Sequence, residues 1–354
     1  MKWAFFGSSL VSAYWNGAAT YYRGLLRAMA ARGHEITFYE PDAYERQKNR
    51  DITDPEWAKV HVWPADRLGL ERALESARDA DLIVKASGVG VYDEELEARV
   101  LDFKKEGRRV VFWDVDAPAT LDRMNLNPRD PFRSLIPQYD LIFTYGGGDP
   151  VVREYEELGA SACVPVYNAL DCSTHYRVAA DSRFEGMLGF LGNRMPDREK
   201  RVDDFFFHAV RQMPNSDFLL GGNGWADKEL PSNLKYLGHI YTHEHNAFNS
   251  SLRTVLNLNR ESMVSYGYSP PTRVFEAAGA EACLITDRWK GVDYFFEPGK
   301  EVLVAGSGDE LIAHLEALTP DRARRIGAAA YRKVIAKHTY DHRAALVDNL
   351  LRKT

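Results

Sequence analysis

Residues 266–301 read YGYSPPTRVFEAAGAEACLITDRWKGVDYFFEPGKE. The pattern is a loop, a helix opening at the two prolines, and then a buried strand. Pro270 and Pro271 suit the entry and first positions of a helix, and the unpaired amides of that first turn make a seat for an anion. Arg273 and Glu276 stand three apart and so share one helical face. An arginine clamps phosphate oxygens bidentately, and a carboxylate accepts hydrogen bonds from both hydroxyls of a ribose. The pair describes a pocket for a nucleotide diphosphate, although the same spacing also serves an ordinary surface ion pair.

The alternation of strand and helix extends outward in both directions. Upstream, WAFFG, EITFYE, VHVW, DLIVKAS, RVVFWDV and DLIFTY read as buried parallel strands separated by helical patterns such as ERALESARDA. The start, MKWAFFGSSLVSAYW, runs on through a helix and Gly33 into EITFYE, so it reads as a βαβ unit rather than a secretory leader. From CVPVYNALDCSTHYRVAADSRFEG the chain turns polar and irregular, as a connection between domains would. A second alternation follows in MLGFLGN, DFLLGGNG, LKYLGHI, TVLNLNR, ACLITD and EVLVAG, and the amphipathic end YRKVIAKHTYDHRAALVDNLLRK has no strand after it.

The expected fold class is therefore α/β, with two Rossmann-like doubly wound domains facing a cleft. The expected boundaries are residues 1–168, a linker at 169–184, a second domain at 185–335 and a last helix at 336–354 that crosses back to the first domain. A length of 354 residues agrees with two cores. A hydrophobic content of 45% and a charged content of 27% describe a globular chain. The net charge of -6 argues against a nucleic-acid partner and requires local arginines to hold any anionic substrate. Cys163, Cys172 and Cys283 show no metal spacing and fit a reducing cytoplasm. No apolar run approaches the ~18 residues of a membrane span, which leaves only peripheral membrane contact open.

The segments RVFEAAGAEACLITD and FFEPGKEVLV resemble the donor-binding region of GT-B glycosyltransferases, and most closely the spore-maturation CgeB-like family. HTYDHRA is similar to that family's final-helix pattern, and NALD at 168–171 stands where related retaining enzymes carry a linker motif. The resemblance implies a GT-B enzyme that moves a sugar from a nucleotide-diphosphate donor to an acceptor, whether glycan, small molecule or protein. It implies no further cofactor and no metal, and it leans toward retention. Glu276 would hold the ribose and Arg273 would sit near the phosphates.

Four further constellations complete the expected site. In LGNRMPDREKR, a glycine-bearing turn after a strand delivers Asn193, Arg194 and Arg198 toward a departing diphosphate, with Lys200 and Arg201 behind. In related enzymes a glutamate eight residues before Glu276 reaches the donor sugar. Here Tyr268 holds that place, so Glu261, or the backbone of Tyr266, Gly267, Tyr268 and Ser269, is expected to substitute. In WDVDAP, period-2 alternation on a continuing strand would put Asp114 and Asp116 on one side, where the resemblance to retaining enzymes, which place a sugar-contacting histidine there, implies the reacting carbon; both are catalytic candidates, Asp116 first. Either aspartate also suits a helix cap or a turn. Gly17, in GSSLVSAYWNGAATYY, would let backbone approach a ligand closely. A GT-B-shaped binding or morphogenetic protein without turnover and a nucleotide-sugar epimerase are the alternatives. An NAD enzyme falls below both, because GxGxxG is missing.

Overall fold

The structure, a computed structural model, describes residues 1–14 and 16–353, without the side chain of Lys353. Trp15 in the opening loop and Thr354 at the end of the expected last helix lie outside the described residues. The chain divides into two compact units, residues 1–168 with 340–354, and residues 169–339.

In the first unit, seven parallel strands stand in the order β3-β2-β1-β4-β5-β6-β7. They are β1 (Lys2–Phe6), β2 (Glu35–Asp42), β3 (Lys59–Pro64), β4 (Leu82–Ala86), β5 (Arg109–Asp114), β6 (Leu141–Thr144) and β7 (Cys163–Pro165). The helices between them are α1 (Ala19–Ala31), α2 (Arg67–Ser76), α3 (Asp93–Arg99), α4 (Ala117–Leu126) and α5 (Gly148–Glu157). Every residue of β4 is buried, as is all but the first of β5, which is what helices on both faces of a parallel sheet require. The strand β7 corrects the sequence reading. CVP, taken there as part of the irregular connection, pairs in parallel with β6 at the sheet edge, where Pro165 removes no needed hydrogen bond. Three residues are too few to show a period.

The second unit carries six parallel strands in the order β10-β9-β8-β11-β12-β13. These are β8 (Gly186–Leu191), β9 (Phe218–Gly221), β10 (Leu234–Gly238), β11 (Leu252–Asn257), β12 (Leu284–Asp287) and β13 (Leu303–Ala305). Its helices are α6 (Pro196–Val202), α7 (His208–Gln212), α8 (His245–Ser251), α9 (Glu261–Tyr266), α10 (Thr272–Gly279), α11 (Val292–Phe295), α12 (Gly308–Glu316) and α13 (Pro320–Lys337). A π-helical turn, Asp203–Phe207, joins α6 to α7 and buries Phe205, Phe206 and Phe207 in the core. Residues 169–184, expected as the linker between domains, are tied to this unit. The amides of Tyr176, Val178 and Asp181 donate to the side chains of Asn246 (3.2 Å), Ser250 (3.2 Å) and Ser251 (2.8 Å).

The last helix, α14 (Tyr340–Lys353), belongs to the first unit. It starts four residues later than expected, after a break at His338 and Thr339. It lies so close to α1 that a Cβ on Gly24 would fall 2.2 Å from the Tyr340 ring. Arg343 donates to the carbonyls of Tyr167 (3.1 Å) and Asn168 (3.2 Å), and Asp348 meets His34 at 3.0 Å. Among the described residues no helix is long and apolar enough to cross a membrane.

Each sheet reverses its strand order beside its first strand, between β1 and β4 and between β8 and β11. Ligands of open α/β sheets bind beyond the carboxyl ends of the strands at such a point.

Buried charge in the first unit generates a pH dependence. Lys85 on β4 is 2% exposed and pairs with Asp93 at 2.8 Å. Glu97, one helical turn on, is pushed by burial to a pKa of about 7 against an ordinary 4.5, with Lys85 and Arg123 only partly offsetting. The raised value makes the protonated form the one the fold prefers. The benefit is complete below pH 4.5 and is lost as pH rises through 7. Glu97→Gln should therefore raise stability by roughly 2–3 kcal/mol at pH 8 and change it little at pH 4. Urea unfolding at the two pH values reads the difference.

Candidate functional site

The carboxyl end of the second sheet gathers the arginines of the LGNRMPDREKR segment, but not as local charge alone suggested. Asn193 is exposed, and its Oδ1 accepts from the Asn223 amide (2.9 Å), stapling the loop after β8 to the loop after β9. Arg194 pairs with Glu199 (2.6 Å) and Asp227 (3.0 Å) and lies over Trp225. Its charge is thus committed to neighbours that the local sequence reading did not use. Lys200 is 87% exposed and pairs with Asp204 on the outer side of α6. Arg198 turns inward, donating to the Asn193 carbonyl (2.6 Å) with its guanidinium over the Phe190 ring. Burial first, and the repulsion of Arg273 second, push its pKa down to about 10.

Arg273 occupies the first turn of α10, just after Pro271 as N-cap. Every residue of α10 from Val274 to Gly279 is buried, so the helix cannot swing to relieve the repulsion. Among the described residues Arg273 makes no ion pair or side-chain hydrogen bond, and burial lowers its pKa, with Glu276 partly compensating. The charge of Arg273 thus opposes that of Arg198, and cations kept near a helix N-terminus can hold an anion.

Glu276, 8% exposed, stands one turn further along α10. Burial alone would raise its pKa, but His175, His245 and Arg273 together hold it below the ordinary carboxylate value. Neither histidine was singled out in the sequence. His175 comes from the tied segment after residue 168 and places Nε2 3.6 Å from Glu276 Oε1. His245 opens α8, and burial pushes its pKa down to about 4. The ligand atoms of the three residues lie within 4.8 Å of one another. Neither chain spacing nor periodicity announces them, because they come from three separate segments.

The loop between β11 and α10 is built on Asp287, another residue that sequence reading passed over. Its carboxylate is fully buried and accepts from the Asn259 amide (3.1 Å), the Asn259 side chain (3.1 Å) and Arg201 (3.1 Å). Burial raises its pKa to about 6. Arg260 pairs with Asp197 at 2.6 Å, which anchors the start of α6. Glu261, expected to stand in for a sugar-binding carboxylate, is 62% exposed and is the outer partner of Arg201 (2.9 Å).

Tyr266 closes α9 and is followed by Gly267 at φ 74°. A Cβ there would fall 2.8 Å from Lys290, so the turn requires glycine. Tyr268 has φ 43°, an uncommon left-handed conformation for a bulky residue, held by a hydrogen bond from its amide to the Lys290 carbonyl (2.7 Å). Ser269 is buried and donates to the Gly267 carbonyl (2.9 Å).

In the first unit, β5 ends at Asp114 and Asp116 is already the N-cap residue of α4. No continuing strand puts the two side chains on one face, which corrects the period-2 reading. Asp114 is fully buried and accepts from Tyr155 (2.5 Å), Ser87 (2.7 Å), Thr120 (3.1 Å) and the Asp116 amide (3.0 Å). Desolvation raises its pKa. These bonds make it an internal tie between β5, α4 and α5 rather than a group presented to a ligand. Asp116 is half-buried at the strand's carboxyl end. Gly17 is exposed, and a Cβ there would meet nothing within 4 Å, so the fold itself places no demand for glycine.

The two Rossmann-like parallel-sheet units in one chain are those of the GT-B fold. The chain matches a sucrose-phosphate synthase from Thermosynechococcus elongatus with a TM-score of 0.72 at 13% identity, covering 100% of this chain and 98% of that one. HepE from Anabaena, in complex with UDP and glucose, matches with a TM-score of 0.72 at 12% identity over 100% of both chains. An alpha-glucosyltransferase in complex with UDP-glucose and DNA matches with a TM-score of 0.73 at 13% identity over 99% of both. Residues 198–349 match a family model described as glycosyl transferase-like. No curated protein sequence matches the chain.

The contrast between the two aspartates is measurable. Asp114→Ala strands the Tyr155 and Ser87 hydroxyls and should cost roughly 2–5 kcal/mol in urea unfolding. Asp116→Asn should stay within about 0.5 kcal/mol of the parent chain.

Proposed function

We propose that the chain is a glycosyltransferase that takes a sugar from a nucleotide-diphosphate donor held by the second unit. The observation that carries this reading is the opposed charges of Arg198 and Arg273 beside Glu276. All three lie at the carboxyl end of a sheet whose strand order reverses between β8 and β11. A diphosphate supplies the negative charge those guanidinium groups lack, and a ribose diol supplies donors to the Glu276 carboxylate. The likeness of residues 198–349 to a glycosyl transferase-like family supports the same assignment, as does a fold shared with proteins described with UDP and UDP-glucose.

In this reading Arg198 and Arg273 stabilise the charge that develops on the leaving diphosphate, the task a divalent ion performs elsewhere. The donor site is then independent of a metal. The strained turn at Gly267 and Tyr268 presents backbone and Ser269 to the sugar. Asp116 is the carboxylate proposed to act at the acceptor, a glycan, small molecule or protein hydroxyl, while Asp114 keeps the end of β5 in shape behind it. Retention of the anomeric configuration is the proposed outcome.

Calorimetry with UDP in the presence of EDTA tests the assignment. Arg273→Met should weaken binding roughly 10- to 150-fold, the loss of one charge-assisted contact of ~1.5–3 kcal/mol. Affinity equal to the parent chain would remove the basis for the donor site. Asp116→Asn should keep UDP affinity and lose turnover, measured as release of nucleotide diphosphate from donor sugars. Proton NMR of the product reads the anomer.

A further inference from the structure

Glu276 does more than face a ligand pocket, because two imidazole rings converge on it. His175 is 5% exposed, and its Nε2, although buried, has no hydrogen-bond partner among the described residues. The Nδ1 of His245 is likewise buried and without a partner. Unsatisfied buried nitrogens are rare and costly, so two of them beside one carboxylate call for an explanation. In His175 the opposite nitrogen is engaged, Nδ1 lying 2.9 Å from the Thr174 hydroxyl. One nitrogen held by an oxygen and the other left bare is the arrangement that orients imidazole for a metal ion.

We infer that His175, His245 and Glu276 form a binding site for a divalent transition-metal ion, with Zn2+ the best-matched species. Two imidazoles and one carboxylate are a borderline donor set that suits Zn2+ and not Mg2+ or Ca2+. The measured 3.6 Å between His175 Nε2 and Glu276 Oε1 is close to the spacing of about 3.4 Å between ligands of a tetrahedral ion with bonds near 2.1 Å. The spread of the three ligand atoms, within 4.8 Å, closes by small side-chain rotations. Three protein ligands leave a fourth position for water.

Arg273 bears on Glu276 and His245 from the same helix, so its charge opposes the ion. The site therefore discriminates between two ligands. Arg273 favours a diphosphate and disfavours a metal, while Glu276 is wanted by both the ribose and the ion. Metal binding is independent of the donor assignment. Only the competition between ion and nucleotide rests on it, and that competition would make Zn2+ an inhibitor rather than a cofactor.

The test uses the full chain after chelator treatment, free of nucleotide, titrated with Zn2+ by calorimetry and with Co2+ by visible absorption. One ion per chain is expected, with low-coordinate cobalt bands and two imidazole ligands in X-ray absorption. His175→Ala and His245→Ala should each weaken binding at least tenfold. Cys172→Ser, which removes the exposed thiol three residues before His175, should change nothing. Arg273→Met should tighten Zn2+ binding several-fold while weakening UDP, an inversion that a merely structural role would not produce. If a histidine variant fails to fold by circular dichroism, the parent chain's absorption spectrum still decides. No ion bound by the folded parent, a spectrum without two imidazoles, or full affinity in a folded His175→Ala, His245→Ala chain would overturn the metal site. Unaltered UDP affinity in Arg273→Met, with zinc binding intact, would overturn the donor reading alone.

Discussion

Two like charges held together are the constraint on which the second unit turns. Burial above all, and the charge of Arg273 next, weigh against the Arg198 guanidinium, and burial strengthens that repulsion by removing the water that would screen it. Neither can retreat. The segment bearing Arg198 is pinned by Arg260 on Asp197 and by Arg201 on Asp287, and α10 is packed on nearly every side. A fold that spends stability in this way keeps an unfavourable field in place, ready for an anion to neutralise.

Both units contain buried polar groups that are fully bonded and buried polar atoms that are not; among the described residues Arg46 Nε and Trp63 Nε1 are unsatisfied in the first, and Asp287 is fully bonded in the second. In the first, Asp114 accepts four hydrogen bonds and Glu40 accepts from Ser9, the Leu10 amide and Gln47. Those carboxylates are spent on architecture. In the second, Arg198 Nε, Asn259 Oδ1, His175 Nε2 and the Nδ1 of His245 are buried without partners. These four side chains come from the segments around the end of the sheet, where a ligand can complete them. It is their convergence on one end of the sheet, rather than the lack of a partner at any single atom, that makes binding energy available there.

Among the described residues, twelve of the thirteen strands were legible as short, mostly apolar runs, interrupted by His61 in β3 and Lys235 in β10 at the sheet edges. The exception, β7, is three residues long and ends in proline. Arg273 and Glu276 were legible for a related reason: a separation of three residues on a helix is local geometry. The errors have distinct causes. Glu261 looked like a spare carboxylate because Arg201 lies 60 residues away, whereas Arg194 looked like a free cation although Glu199, in the same segment, pairs with it and Asp227 completes the neutralisation from 33 residues away. Asp114 and Asp116 were paired by a period that holds only while a strand continues, and the strand stops between them.

The sequence alone determined the alternating α/β plan, the helix opening at Pro271 and the sharing of one face by Arg273 and Glu276, since each depends on residues only a few positions apart. Tertiary structure decided which charges are neutralised and which are left exposed to one another, and it brought His175 and His245 to Glu276 from separate segments. Local periodicity sets the direction of a side chain relative to its own helix or strand. Whether that side chain meets a partner is set by packing between elements distant in the chain, and the energy of a buried charge depends on that meeting.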